Sequence, residues 1–300
     1  MRAVAAFVIA LGVACAQSAV QVPVWPGAGA GLTAESLGAT VNGAQAKVVS
    51  VKGPTDDLML LVVLDLTDDL AAVTQARNAL AARIAMFPPN FYVGVMAAQN
   101  GLSVIAAPGA DRDETAKALR SHPVGGRAGL LNTIEQAARL ASQIEAKTQV
   151  RVAVLYVTDS DINNYRENYN NAVVNSSDRG DLSRQVSDTL VRERISRMIT
   201  SLASTRSPIF INQLTYKNDQ LNNAYQTGLL ALAGSTGGSA IVSRSVAEIP
   251  SAIGEVMDRI TAHYSVGVTI PTGAKSEVAV KLEARPGGPL THRTAFVLTE

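Results

Sequence analysis

Leu58-Met-Leu-Leu-Val-Val-Leu64, running into Asp65-Leu-Thr67-Asp-Asp69, is the stretch that decides how this chain folds. Its apolar run has no polar alternation. A strand buried on both faces reads this way, and in parallel sheets helices cover both faces. A second run, Val152-Ala-Val-Leu-Tyr-Val-Thr158, ends alike in Asp159-Ser-Asp161. Such sheets bind ligands beyond the carboxyl ends of their strands, where the strand order switches direction. As neighbours, the two strands would bring their terminal carboxylates to one small site. Converging oxygen ligands suit a hard divalent cation, Mg²⁺ or Mn²⁺.

Outward from these strands, residues 58–263 alternate strand and helix signals. Helices are expected from Asp69 to about Met86, stopped by Phe87-Pro88-Pro89-Asn90, and over 111–120, 130–145, 184–204, 219–233 and 246–263. Strands are expected at 91–98, 102–107, 208–216 and 239–243. Before this region, Val41-Asn42-Gly43-Ala44 signals a hairpin between strands 38–41 and 46–51, and residues 17–30 read as a loose leader. After it, 264–270, 277–284 and 293–299 are strand-like without intervening helices. The expected fold is α/β: a Rossmann-like, doubly wound, mostly parallel sheet with helices on both faces. A small β unit from the N- and C-terminal segments accompanies it. The division is a signal peptide at 1–16, a leader and β module at 17–57, the α/β domain at 58–263, and a C-terminal β segment at 264–300 packing with the N-terminal module.

The chain is 47% hydrophobic, 17% charged and 4% aromatic. That composition favours helices and aliphatic strands over an aromatic nucleic-acid platform. Residues 1–16 read as a secretory signal: Arg2, then a short apolar stretch from Ala3 to Val13, then Ala14-Cys15-Ala16. Cleavage there leaves 25 basic residues (26 less Arg2) against 25 acidic ones. A neutral chain gives no electrostatic case for nucleic acid or anionic membrane. No later apolar run approaches membrane-spanning length. The expected location is secreted or periplasmic. Lipidation of Cys15 is the alternative, against which Gly12 stands where a lipoprotein box carries Leu.

Asp65-x-Thr67-x-Asp69 places three oxygen side chains at alternate positions of a strand-to-helix turn, and Asp159 could complete a cup. At these residues the chain resembles the von Willebrand factor type A domain. That family carries Asp-x-Ser-x-Ser after its first strand, a Thr in a later loop and an Asp after its fourth strand, together forming the metal-ion-dependent adhesion site. Asp65 and Asp159 match, Thr67 keeps a hydroxyl, and Asp69 replaces the second Ser. The loop threonine is the departure. Gly125-Gly126-Arg127-Ala128-Gly129-Leu130 puts Arg127 or Ala128 at its place, and neither ligates a cation. The wider chain is similar to a bacterial secreted subgroup with a leading β module. Residues 31–37, 41–50, Leu232 to Gly238 and Tyr264 to Val268 carry that likeness.

The resemblance implies a secreted protein-binding module, adhesive or scaffolding, that catalyses no reaction. It engages an unknown protein partner, with a partner carboxylate completing a cation held by Asp65, Thr67, Asp69 and Asp159. Its rival is a metal-free scaffold of the same type, with Arg127 neutralising the acidic cup. A third reading, metal-dependent phosphoryl transfer, lacks the second Asp two residues after the first, since Thr67 stands there. The bland alternative for Thr67 and Asp69 is a helix cap. Residues 159–183 form a long polar loop with Tyr165 and Tyr169 that suits a contact surface. No His-x-x-x-His pair, Gly-x-Ser-x-Gly elbow or phosphate-cradling glycine motif occurs.

Overall fold

A computed structural model describes residues 19–27, 31–165, 188–285 and 287–298. The signal-like residues 1–16 with Cys15 lie outside the described residues, as do Tyr169 and the polar loop beyond Tyr165. The chain runs β1 (Ala19–Pro26), β2 (Leu37–Val41), β3 (Ala44–Ala46), β4 (Val48–Lys52), β5 (Leu58–Asp65) and α1 (Leu70–Ala85). Next come β6 (Phe91–Ala97), β7 (Ser103–Ala106), α2 (Arg112–Ser121), α3 (Leu130–Thr148) and β8 (Arg151–Thr158). After a 3₁₀ turn at Ile162–Tyr165 follow α4 (Asp188–Ser201), β9 (Ile209–Gln213), α5 (Gln220–Ser235), β10 (Ala240–Val242) and α6 (Ile249–Ala262). Last are β11 (Tyr264–Thr269), β12 (Glu277–Ala284), β13 (Leu290–His292) and β14 (Ala295–Val297).

The central sheet has the order β10-β9-β8-β5-β6-β7, parallel except for the antiparallel edge strand β7. β5 and β8 are neighbours in register, from Leu58 opposite Arg151 to Asp65 opposite Thr158. The chain leaves β5 toward β6 on one side and returns to β8 on the other, so the topological switch lies between the two aspartate-tipped strands. The pleat sends alternate residues to opposite faces. Leu58, Leu60, Val62 and Leu64 pack with Ala153, Leu155 and Val157 against α1, α2 and α6. Leu61 and Val63 pack with Val152, Val154 and Tyr156 against α3, α4 and α5. Between their polar ends both strands are apolar, because both faces are covered.

The terminal segments build a two-sheet β unit with orders β13-β1-β11-β4 and β14-β12-β2-β3. Its core is mostly valine, including Val20, Val22, Val24, Val266, Val268 and Val280. The Asn42-Gly43 hairpin turn forms, with φ of 51° and 79°. The expected loose leader is instead β1, an interior strand between β13 and β11. Its Ala, Gly and Pro content masked a period-two pattern: Val20, Val22 and Val24 are buried.

Two buried arginines join the β unit to the α/β body. Arg151, at the start of β8, donates to the carbonyls of Asp56 (2.8 Å) and His263 (2.8 Å), and at 3.3 Å to Pro54 and Thr261. Arg293, between β13 and β14, donates to the carbonyls of Ala203 and Thr205, both at 2.6 Å. Trp25, the chain's single tryptophan, donates from Nε1 to the Arg259 carbonyl at 2.8 Å and meets Phe210 edge-on. Its fluorescence therefore reports on this junction.

Two titratable groups buried here oppose each other. Burial pushes the Glu145 carboxyl up from 4.5 to about 7, against the fields of Arg206 and Lys52. The folded chain thus holds a proton there that the unfolded chain has released, and stability falls as pH rises from about 4.5 to about 7. Burial lowers His263 from 6.5 to about 4, so stability rises with pH across about 4 to 6.5. Glu145→Gln removes the first effect alone. Urea melts read by Trp25 fluorescence are expected to show the variant gaining on the parent as pH rises, by on the order of 3 kcal/mol at pH 8. An unchanged difference from pH 4 to pH 8 would show that Glu145 ionises freely in the folded chain.

Candidate functional site at the strand ends

Asp65 is fully buried at the tip of β5. Its place in the pleat, after Leu61 and Val63, turns the side chain toward α3. There Oδ1 accepts from the Gly129 amide at 2.7 Å, and Oδ2 accepts from the Leu130 amide at 3.2 Å. Oδ2 also accepts from the hydroxyls of Ser160 (2.7 Å), Thr158 (3.0 Å) and Tyr165 (3.5 Å). The carboxylate thus sits at the amino end of α3, where unpaired amides and the helix dipole favour negative charge. α3 has no side-chain cap of its own; Asp65 does that work from across the sheet. Burial raises the Asp65 pKa, while Ser160, Gly129, Thr158 and Leu130 pull it down.

Asp159, one residue past β8, turns to the other face. Its Oδ1 accepts from the amide and hydroxyl of Thr67, at 2.5 and 3.0 Å. Its Oδ2 accepts from the amides of Asp68 (2.9 Å) and Asp69 (2.8 Å). This carboxylate pins the turn that leads into α1. Asp69 then caps α1, with Oδ1 accepting from the Ala72 amide at 3.0 Å and Oδ2 from the Thr215 hydroxyl at 3.2 Å. The cap reading of Asp69 accounts for its contacts.

Asp65 and Asp159 lie close in the chain's architecture, since the Asp159 amide donates to the Asp65 carbonyl at 3.2 Å. Their side chains nevertheless serve different faces of the sheet. Asp159 is bonded to the Thr67–Asp69 turn that leads into α1, and Asp65 to the start of α3. Among the described residues, no group of three or more Asp, Glu, His or Cys side chains is placed to hold a metal ion. Each carboxylate is ringed by N–H and O–H donors, which point positive charge where a cation would sit. As arranged, these carboxylate oxygens are engaged by amides and hydroxyls of the chain itself.

Charge around the site also involves residues the sequence did not suggest. Arg127 is exposed, and its backbone exchanges hydrogen bonds with Asn100. The field of Arg77, on α1, reaches Asp159, and Arg77 also donates to the carbonyls of Arg120 and His122. Asp68 is exposed, and its pKa is raised by partial burial and by Asp159 and Asp161. Sequence reading missed Ser160, Gly129 and Arg77, and it placed Tyr165 on a contact surface, whereas Tyr165 is buried against Asp65 and α3. For Gly129 a signal existed, since it follows Ala128 at the start of an uncapped helix. For Tyr165 there was none, because its reach back to Asp65 depends on the 3₁₀ turn.

No family model matches the sequence, and no curated protein matches it. Solved structures do. The chain is similar to von Willebrand factor type A structures. One is a von Willebrand factor type A protein from Catenulispora acidiphila (11% identity, TM-score 0.48), with 96% of this chain and 75% of that chain covered. Another is proximal thread matrix protein 1 from the mussel byssus, with a zinc-occupied MIDAS motif (11% identity, TM-score 0.46). There 72% of this chain covers 48% of the other, so this chain spans about half of the mussel protein's length. A third is BatB from Bacteroides thetaiotaomicron (12% identity, TM-score 0.40), with 68% of this chain and 98% of that chain covered. Likeness at this identity concerns the fold and assigns no ligand. No helix among the described residues is long and apolar enough to cross a membrane.

Proposed function

We propose that this chain is a secreted, non-catalytic protein-interaction module of the von Willebrand type, and that its strand-end carboxylates hold its own loops in place of a cation. The observation that carries this reading is the division of labour at the switch point. Asp65 anchors the start of α3 from one face, and Asp159 anchors the lead-in to α1 from the other. In a cation-dependent module the same positions would hold oxygen lone pairs free for an ion. Here those lone pairs accept from amides and hydroxyls. The module's binding specificity then comes from surface side chains, and a partner need not bring a carboxylate to complete a metal shell.

Ion titration with a melting readout tests the point. A ligand that binds the folded state at 100 times its Kd stabilises by about 2.7 kcal/mol. Parent protein is expected to melt within about 1 °C of the same temperature in EDTA, Mg²⁺ or Mn²⁺, because no stabilising ion binds. A rise of several degrees with Mg²⁺ or Mn²⁺, abolished in Asp69→Ala, would instead establish the cation-dependent adhesion site.

A further inference from the structure

Two cavities meet on the side of the molecule where the α/β body joins the β unit. One, of about 490 Å³, lies between α3 and the segment Ser201 to Arg206 that follows α4. The other, of about 450 Å³, lies against the β unit, beside β14 and the loop before β12. Ser204 and Arg206 line both, so the two adjoin along this segment as a groove in two parts. Their chemistry differs. Arg139 and Arg206 flank the first cavity, whose wall includes Thr205. The Thr205 Oγ1 is buried and has no hydrogen-bond partner. Glu135 also lines this cavity, but its Oε1 already accepts from the Ser201 hydroxyl at 2.6 Å. The second cavity is walled by Ile270, Phe296 and Leu298, with Lys275 at its side.

We propose that this groove binds an extended segment of a protein partner carrying paired carboxylates beside aliphatic side chains. The carboxylates face Arg139 and Arg206, where guanidinium groups offer forked donors suited to them. The aliphatic side chains fill the second cavity, and Lys275 extends the positive field along it. Three basic residues against one engaged carboxylate give the groove its sign, although the chain after signal cleavage is neutral. A free phosphate would leave the apolar half unused. A nucleic acid would want exposed aromatic platforms, whereas Phe296 is buried.

This deepens the reading of the chain as an interaction module and rests on it. The groove lies apart from the strand-end carboxylates and needs no cation.

The test is selection of phage-displayed random dodecapeptides on the whole protein, with R139E/K275E as the comparison. Both positions are exposed, so the double variant is expected to keep the parent's melting temperature within a few degrees. Arg206 is left in place because its field acts on Glu145. Enriched peptides are expected to carry two or more Asp or Glu within three residues of Leu, Ile or Val. Synthetic copies, measured by fluorescence anisotropy, are expected to bind the variant at least tenfold more weakly. Enriched peptides that bind parent and R139E/K275E alike would overturn the groove and leave the interaction reading intact. Enrichment of basic peptides, or of none, would overturn the proposed ligand class.

Discussion

Asp65→Ala is expected to lower stability by roughly 3–5 kcal/mol, and the melting temperature by about 10 °C or more. The hard part of that loss is the pair of backbone amides at Gly129 and Leu130, which then have no acceptor. The hydroxyls can adapt. Thr158 and Ser160 already lie 2.6 Å from each other, and Tyr165 also accepts from the Leu131 amide. Asp65→Asn keeps one acceptor oxygen but turns an NH₂ group toward the remaining donors, so it is expected to lose nearly as much. The sign of the effect discriminates between two roles. A carboxylate held for a cation repels its acidic neighbours when the ion is absent, so its removal in EDTA would leave stability unchanged or raise it. A carboxylate that caps a helix is missed in every buffer. Equal or higher melting temperatures for both variants in EDTA would show that Asp65 is not the anchor of α3.

Much of this architecture was legible in the sequence because its signals are local. Unbroken apolar runs marked β5 and β8, the Asn42-Gly43 pair marked a hairpin, and Phe87-Pro88-Pro89 ended α1 close to its expected boundary. β1 was misread since composition spoke louder than the alternation of Val20, Val22 and Val24. The strand-end site was legible in its position and illegible in its orientation. Both aspartates follow adjacent strands at the switch point. Whether their side chains share a face depends on register, and a shift of one residue reverses the face. β5 pairs Asp65 with Thr158, not with Asp159. That single offset sends the two carboxylates to opposite faces and makes each an internal anchor. Nothing in either run specifies it. It is fixed where Leu58 meets Arg151, whose guanidinium is tied to carbonyls of the chain on both sides.

Gly129→Ala should produce a loss on the order of 3 kcal/mol or more, although it adds one methyl group. The backbone at Gly129 has an ordinary φ of −122°, so conformational strain is not the reason. The reason is contact. A Cβ there would stand 1.7 Å from the Ala98 carbonyl oxygen, at the end of β6. Backbone cannot yield as a flexible side chain does, so the start of α3 must move away from the sheet. That movement carries the Gly129 amide from Asp65 Oδ1, now 2.7 Å away, and disturbs the bonds that the Gly129 carbonyl accepts from the amides of Asn132 and Thr133. The two substitutions therefore strike one structure, and their effects should not add. Once Asp65→Ala has removed the acceptor, Gly129→Ala costs only its clash, and the double variant should fall short of the summed losses by about 1–2 kcal/mol. Strict additivity in chemical melts followed by Trp25 fluorescence would show that the helix start and the carboxylate are stabilised independently. A shortfall would establish that β5 and α3 are joined through this one buried carboxylate cap.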